Sequence, residues 1–266
     1  EESRKIMVAI LSQIVEFRNG ESGLHVSRVN ALVKMLLERL RQVTDQYNIS
    51  WVKQDLIVMA SSLHDIGKIG IDDKILNKNG KLTKEEFEVM KTHTLIGASI
   101  LENLEEYQKE PLVQTAYEIC RWHHERYDGT GYVGLKGKDI PLIARILAVA
   151  DAVTAMEEDR PFRRRLSSME LEKELISNKG KQFDPDIVNV AVEMLHEGYD
   201  VDEKLAQMMK QIPGDVSETG ELMRQVVTTS TQETKSELEK DSLTGFLNRR
   251  SFEEKIEKFL RKPMSY

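Results

Sequence analysis

Apolar residues fall at helical rather than alternating intervals along most of the chain. Met7, Ile10, Leu11, Ile14 and Phe17 form one such set, and Val29, Val33, Leu36, Leu37 and Leu40 form another. Recurrence at i, i+3, i+4 and i+7 is the signature of an amphipathic α-helix. A further helix is predicted over 51–65, with Ser50 as its N-cap, and another after Thr83, where Glu86 completes a capping-box pattern. Helical periods continue over 93–105, 111–125, 141–157, 168–177 and 185–197, and no convincing strand interrupts the first 200 residues. The expectation is an all-α bundle of about seven or eight helices.

Two loops break the pattern, 67–82 and 126–140, the second carrying Gly129, Gly131, Gly134 and Gly137. Such glycine density suits a plain surface connection, or a backbone that comes close to a ligand. After Gly198 the character changes: Pro213-Gly214 breaks the chain, and 216–240 is polar and proline-free, which suits a connecting helix better than a core. The predicted division is a helical domain over 1–200, a linker, helical by pattern, over 201–240, and a short separate piece over 241–266.

Composition narrows the function classes. Of 266 residues 40% are hydrophobic, enough for a folded interior, and no apolar run approaches the roughly 18 residues of a membrane span. Direct membrane insertion is therefore not expected. The first residues lack the pattern of a secretory signal, so the chain reads as cytoplasmic, and the missing initiator methionine predicts a piece of a longer protein. One cysteine, Cys120, excludes an internal disulfide framework and a multi-cysteine zinc site. A formal net charge of −7 with 6% aromatic residues argues against binding DNA or RNA polymers, while a small anionic ligand at a local basic cluster stays open.

Five of the six histidines, His25, His64, His93, His123 and His124, fall within about one hundred residues, each at or near a predicted helix end. On a helix the neighbours His64 and Asp65 project about 100° apart, so both can reach a metal between them, and His123 with His124 repeats that arrangement. Asp151, among Val149, Ala150, Ala152 and Val153, is a charge in an apolar helix and is predicted to face a cation.

The ordered set resembles the HD-GYP family. It comprises His64, Asp65, Gly67, Lys68 and Gly70, then His93 and Gly97, the run from His123 to Tyr132, Ala150-Asp151, the element Arg160-Pro161-Phe162-Arg163, and Phe183-Asp184-Pro185. The resemblance covers roughly residues 5–197. It implies a helical, metal-dependent phosphodiesterase acting on cyclic dinucleotides, chiefly cyclic di-GMP, opened to linear pGpG and on to GMP. Carried over by position, it assigns His25, His64, Asp65, His93, His123, His124 and Asp151 to a metal cluster with Asp65 as the bridge. Glu21, one helical turn before His25, matches a third-metal position in some relatives, or is a solvated acid. Imidazole and carboxylate without thiolate suit two, or with Glu21 three, divalent transition ions: Fe or Mn foremost, Zn, Ni or Co also compatible. Two such cations can acidify a shared water and hold phosphate oxygens.

Asp65 and Lys68 are the catalytic candidates. Lys68, one turn beyond His64, can set its ammonium against a phosphate oxygen. Arg160 and Arg163 match a phosphate- and guanine-binding element, whereas Arg164 and Arg165 read as solvated charges. Asp128, followed by Gly129, suits either substrate binding or an ordinary Asp-Gly turn.

Two departures stand out. Gly131-Tyr132-Val133 replaces Gly-Tyr-Pro, removing a residue that would fix φ, and Thr154 stands where relatives commonly have a second aspartate. They favour an alternative reading: a catalytically weak metal- and nucleotide-binding module that regulates a neighbouring domain. A hydrolase for another phosphorylated nucleotide is a third reading. The run from Asp241 to Phe252 resembles the opening of a GGDEF domain, truncated at Tyr266. Its apolar residues, Leu243, Phe246 and Leu247 among them, suggest a homodimer involving the linker helix.

Overall fold

Residues with strong local signals start several helices of the computed structural model, which describes 2–19, 24–44, 46–47, 49–158 and 164–210. Glu21, Arg160, Arg163, most of the 201–240 linker and all of the GGDEF-like stretch lie outside the described residues. Ser50 accepts from the Lys53 N–H at 3.2 Å and opens helix α3, Trp51–Ser61. Thr83 and Glu86 form both bonds of a capping box at the head of α5, Lys84–Lys91. Ser167 and Glu170 do the same for α9, Ser168–Asn178. Asp184, followed by Pro185 at the first helical position, opens α10, Pro185–His196.

The other helices are α1 Glu2–Asn19, α2 His25–Val43, α4 Asp73–Leu76, α6 His93–Glu102, α7 Pro111–Trp122, α8 Leu142–Glu157 and α11 Val201–Lys210. Eleven helices thus appear among the described residues, against the seven or eight expected. Beyond the helical segments named from the sequence, the additions are the single-turn α4 and α11. No strand is present among the described residues, only an isolated bridge between Lys179 and Phe183.

The core is built around α2 and α8. Leu32, Val33, Leu36, Leu37 and Leu40 of α2 meet Ile146, Leu147, Val149 and Val153 of α8, all buried. Each such side chain contributes roughly 1.5–3 kcal/mol on leaving water. α3 packs on α2 and α7 on α8, with α6 lying on α7, while α10 packs on both α2 and α8 and α9 on α8 and α10. Arg145 of α8 pairs with Asp184, both buried, and donates to Ile140 O at 2.8 Å. No described helix is long and apolar enough to cross a membrane.

Two expectations need correction. The periodicity of α1 marks a helix, but its apolar stripe faces outward: Met7, Ile10, Leu11, Ile14 and Phe17 are exposed, and Val8, Ser12, Val15 and Glu16 form the buried face. The helix predicted over 51–65 stops at Ser61, and that predicted over 111–125 stops at Trp122. Residues 62–65 form a turn instead of the end of the first, and a short 3-10 turn, Ile66–Gly70, follows it. It lies so tightly on α6 that a β-carbon at Gly67 would sit 1.9 Å from His93 O.

Candidate metal centre

Elements on five sides deliver the seven sequence-predicted ligands to one place. His25 opens α2, His93 opens α6, and Asp151 stands on α8. His64 and Asp65 lie in the turn after α3, and His123 and His124 in the turn after α7, so these adjacent pairs are not on helices as expected. α2 has no side-chain cap from Leu24, and Glu16 of α1 supplies the acceptor instead, taking the Val26 N–H at 2.7 Å. That bond fixes the turn on which His25 sits.

The ligand atoms form two groups, each within 4.8 Å: Asp65, His93, His123 and His124 in one, His25, His64 and Asp151 in the other. Asp65 stands between them. Its Oδ2 is 3.2 Å from His64 Nε2, and its Oδ1 is 3.4 Å from His93 Nε2 and 3.7 Å from His123 Nε2.

Four rings are oriented from behind. Nδ1 donates to Ser61 O at 2.8 Å in His64, to Met90 O at 2.7 Å in His93, and to Ile119 O at 2.9 Å in His123. A carbonyl can only accept, so the proton is on Nδ1 and the lone pair is on the inward Nε2. His25 differs: a carboxylate, Glu158, takes its Nδ1 at 3.1 Å, while its Nε2 is 3.2 Å from Asp151 Oδ1.

The donor set fits a divalent ion. His64 Nε2 and Asp65 Oδ1 are buried with no hydrogen-bond partner, an arrangement that costs free energy unless something cationic lies between such lone pairs. Charge states agree. Burial lowers the pKa of His93, partly offset by Asp65. Burial with the adjacent His124 holds His123 well below the imidazole range, and burial with His93 brings His124 down to about 4. Burial opposes the charge of Asp65 and Asp151, yet Lys68 and His64 hold the first, and His25 and His64 the second, below the usual carboxylate range. His64 is the exception: burial would lower it, but Asp65 outweighs burial and raises it. Neutral imidazoles beside ionised carboxylates are the protonation states metal ligands require.

Lys68 Nζ lies 2.7 Å from Asp65 Oδ2, at the edge of the cluster. The turn that carries it is latched by Arg18 of α1, which donates to Lys68 O at 3.1 Å, to Ile69 O, and to Ile71 O at 2.6 Å. Tyr132 lies against His124 with ring centroids 4.8 Å apart, and edge-on to Phe87 at 6.2 Å. Burial pushes its hydroxyl up to about 12, so it stays protonated. Asp128 is not part of either ligand group; it accepts from Thr130 N at 2.9 Å and Thr130 Oγ1 at 2.6 Å, closing its own turn. The Cys120 thiol is buried against Leu63 O at 3.0 Å, and burial raises its pKa, which leaves it inert.

The sequence model of the family described as HD domain matches residues 9–187. The chain belongs to the HD domain family. As an HD domain with this histidine and aspartate cluster, it is a divalent-metal-binding helical protein. Among curated relatives, it is 40% identical over 188 residues to a "Probable cyclic di-GMP phosphodiesterase" of Vibrio cholerae, covering 69% of this chain and 42% of the relative. It is 38% identical over 193 residues to the 3'3'-cGAMP-specific phosphodiesterase 2 of the same organism, covering 72% and 35%. To the cyclic di-GMP phosphodiesterase of Thermotoga maritima it is 40% identical over 196 residues, covering 73% and 50%. The HD domain here therefore spans half or less of the length of these relatives. Among solved structures, a cyclic GMP-AMP-specific phosphodiesterase of V. cholerae superposes with a TM-score of 0.54 at 18% identity, over 79% of this chain and 54% of that one. That likeness is one of fold.

Proposed function

We propose that this HD domain is an HD-GYP-type phosphodiesterase that opens a cyclic dinucleotide, cyclic di-GMP foremost, to linear pGpG and onward to GMP. The observation that carries the reading is the convergence of seven ligand side chains in two adjoining groups with Asp65 between them. The names of the relatives at 38–40% identity support the substrate class.

Asp65, His93, His123 and His124 would hold one divalent cation and His25, His64 and Asp151 a second, Asp65 being shared; Fe or Mn suit these donors foremost, Zn, Ni or Co also. Glu21, outside the described residues, is the candidate for a third. When bound, such ions supply Lewis-acid polarisation of phosphoryl oxygens and a water acidic enough to attack near neutral pH. The chain's own residues do the rest. Nδ1 bonds to fixed acceptors keep Nε2 of His25, His64, His93 and His123 aimed inward, and in His93 and His123, whose pKa burial lowers, no proton has to leave that nitrogen. Lys68 can turn its ammonium from Asp65 to a non-bridging phosphate oxygen as negative charge builds there. Tyr132 covers His124 and offers a flat face to a base. In the net step a water oxygen bonds to phosphorus, the bond from phosphorus to the 3′ oxygen breaks, and that oxygen takes up a proton. Arg160 and Arg163 would grip phosphate or guanine, and Asp128 would shape the adjoining loop.

The weak-module alternative finds one specific support: Thr154 Oγ1 is buried without a hydrogen-bond partner where relatives commonly have an aspartate. Against it, Glu158 gives His25 a carboxylate of its own. The GGDEF-like start at 241–252 and a homodimer through the linker belong to the same proposal, the dimer being checked by light-scattering mass.

The deciding experiment is hydrolysis of cyclic di-GMP and of 3'3'-cGAMP by anaerobically purified, Fe- or Mn-loaded protein, with Asp65→Ala beside it. Linear product from the parent and a loss of about 100-fold or more in the variant are expected. Metal and nucleotide binding without turnover in any metal would replace the phosphodiesterase reading with the binding module.

A further inference from the structure

Glu125 follows the His123-His124 pair directly and is buried, yet among the described residues no cation is hydrogen-bonded to its carboxylate. Instead Oε1 accepts the Val133 N–H at 2.6 Å, and Oε2 accepts the Gly134 N–H at 2.8 Å and the Leu135 N–H at 2.7 Å. Three successive backbone donors thus wrap one anion, as they would a bound phosphate. The wrap is close: a β-carbon on Gly131 would lie 2.6 Å from both Arg126 N and Glu125 Cα, and Gly134 has φ +101°. Between those two glycines stands Tyr132, with its ring on His124.

We propose that Glu125 is a positioning residue that ties the 131–135 loop to the metal-bearing turn, and that the loop, through Tyr132, sets affinity for a large substrate such as a cyclic dinucleotide. This rests on the phosphodiesterase reading. The inference also accounts for Val133. A proline at this position would have no N–H, so the shortest of the three bonds exists only because this chain lacks that ring. The stiffness that a fixed φ gives a Gly-Tyr-Pro loop comes here from a charge-assisted hydrogen bond. Glu125 is two residues from His123 and one from His124, so loop and ligands share one rigid segment, and the carboxylate needs no contact with substrate to orient Tyr132.

Amide hydrogen exchange and steady-state kinetics test this on the whole metal-loaded chain. In the parent, the Val133, Gly134 and Leu135 amides are expected to exchange slowly for a loop. In Glu125→Gln, one acceptor oxygen becomes a donor facing an N–H. Exchange over 131–135 should then accelerate, and KM for cyclic di-GMP should rise about tenfold or more while kcat falls by less and bound metal is unchanged. Glu125→Asp, which keeps the charge, should lie between the two. Fast exchange of those three amides in the parent overturns the proposal without any variant having to fold. So does a Glu125→Gln protein whose KM is unchanged, or one whose main loss is bound metal. If the parent turns over no cyclic dinucleotide, the phosphodiesterase reading fails, and slow amides with a weakened dissociation constant for cyclic di-GMP in Glu125→Gln still uphold the positioning role.

Discussion

Replacing Gly67 by alanine tests whether the metal centre depends on how closely the Ile66–Gly70 turn lies on α6. The added β-carbon would meet His93 O at 1.9 Å, Gly97 N at 2.4 Å and His93 C at 2.9 Å, all backbone atoms that no rotamer can move. Ordinary contact would require the turn and α6 to part by about 1.5 Å, and close-packed interiors resist such a shift. Overpacking of this kind costs typically 1–3 kcal/mol, and the backbone clash puts Gly67→Ala near 3 kcal/mol, or about 6–12 °C in melting temperature for a domain of this size. The displaced parts carry Asp65 on one side and His93 on the other, 3.4 Å apart across the first ligand group. Metal sites tolerate only about 0.2 Å of error in ligand distance, so affinity should fall by at least about 100-fold, more than the stability loss alone would give at temperatures where the variant is folded. Urea denaturation of the metal-free protein and chelator competition measure the two effects. Gly97→Ala, whose β-carbon would meet Cys120 Cβ at 3.3 Å, serves as the milder control. A Gly67→Ala protein within about 0.5 kcal/mol of the parent that binds metal equally well would refute the argument.

Two further outcomes follow from the ligand surroundings. Glu158→Gln leaves His25 without the carboxylate on its Nδ1, and metal affinity should drop about 10- to 100-fold with the fold intact; equal affinity by chelator competition would remove Glu158 from the centre. For the metal-free protein, His124 is held near 4 by burial and His93, below the ordinary 6.5. The unfolded chain therefore binds the extra proton first, so stability should be full above about pH 6.5 and decline as pH falls toward 4, by roughly 1–3 kcal/mol; a flat profile between pH 7 and 5 would contradict it.

Rare residue types at telling spacings made the cluster legible: the histidines and Asp151 stand out in any helical pattern, and seven of the eight candidate ligands, all but Glu21 outside the described residues, reach one of the two groups. Local chemistry was equally readable, as with Thr83 and Glu86, because both bonds of the capping box lie within four residues. What stayed hidden depends on distant neighbours. Ser62 to Asp65 continue a helical pattern, and nothing in it announces the end of α3 at Ser61 or the close approach of Gly67 to α6 that follows. Periodicity locates α1 but cannot tell which of its faces meets the core. Glu125 and Glu158 are two among 45 acidic residues, and nothing in their type or spacing reveals a carboxylate that grips a loop or a histidine. Glu21, Arg160 and Arg163 remain assignments by resemblance.

The guanidinium of Arg18 has a mechanical consequence. Its acceptors, the carbonyls of Lys68, Ile69 and Ile71, and the Asp73 carboxylate at 3.0 Å all belong to the segment that begins with Asp65, while Asn77 returns a bond to Arg18 O at 3.0 Å. A slide of α1 by one residue, about 1.5 Å, would distort this set of bonds together unless the segment moves with it. The first helix and the hinge beneath the cluster are therefore geared together: whatever pulls on one draws the other along.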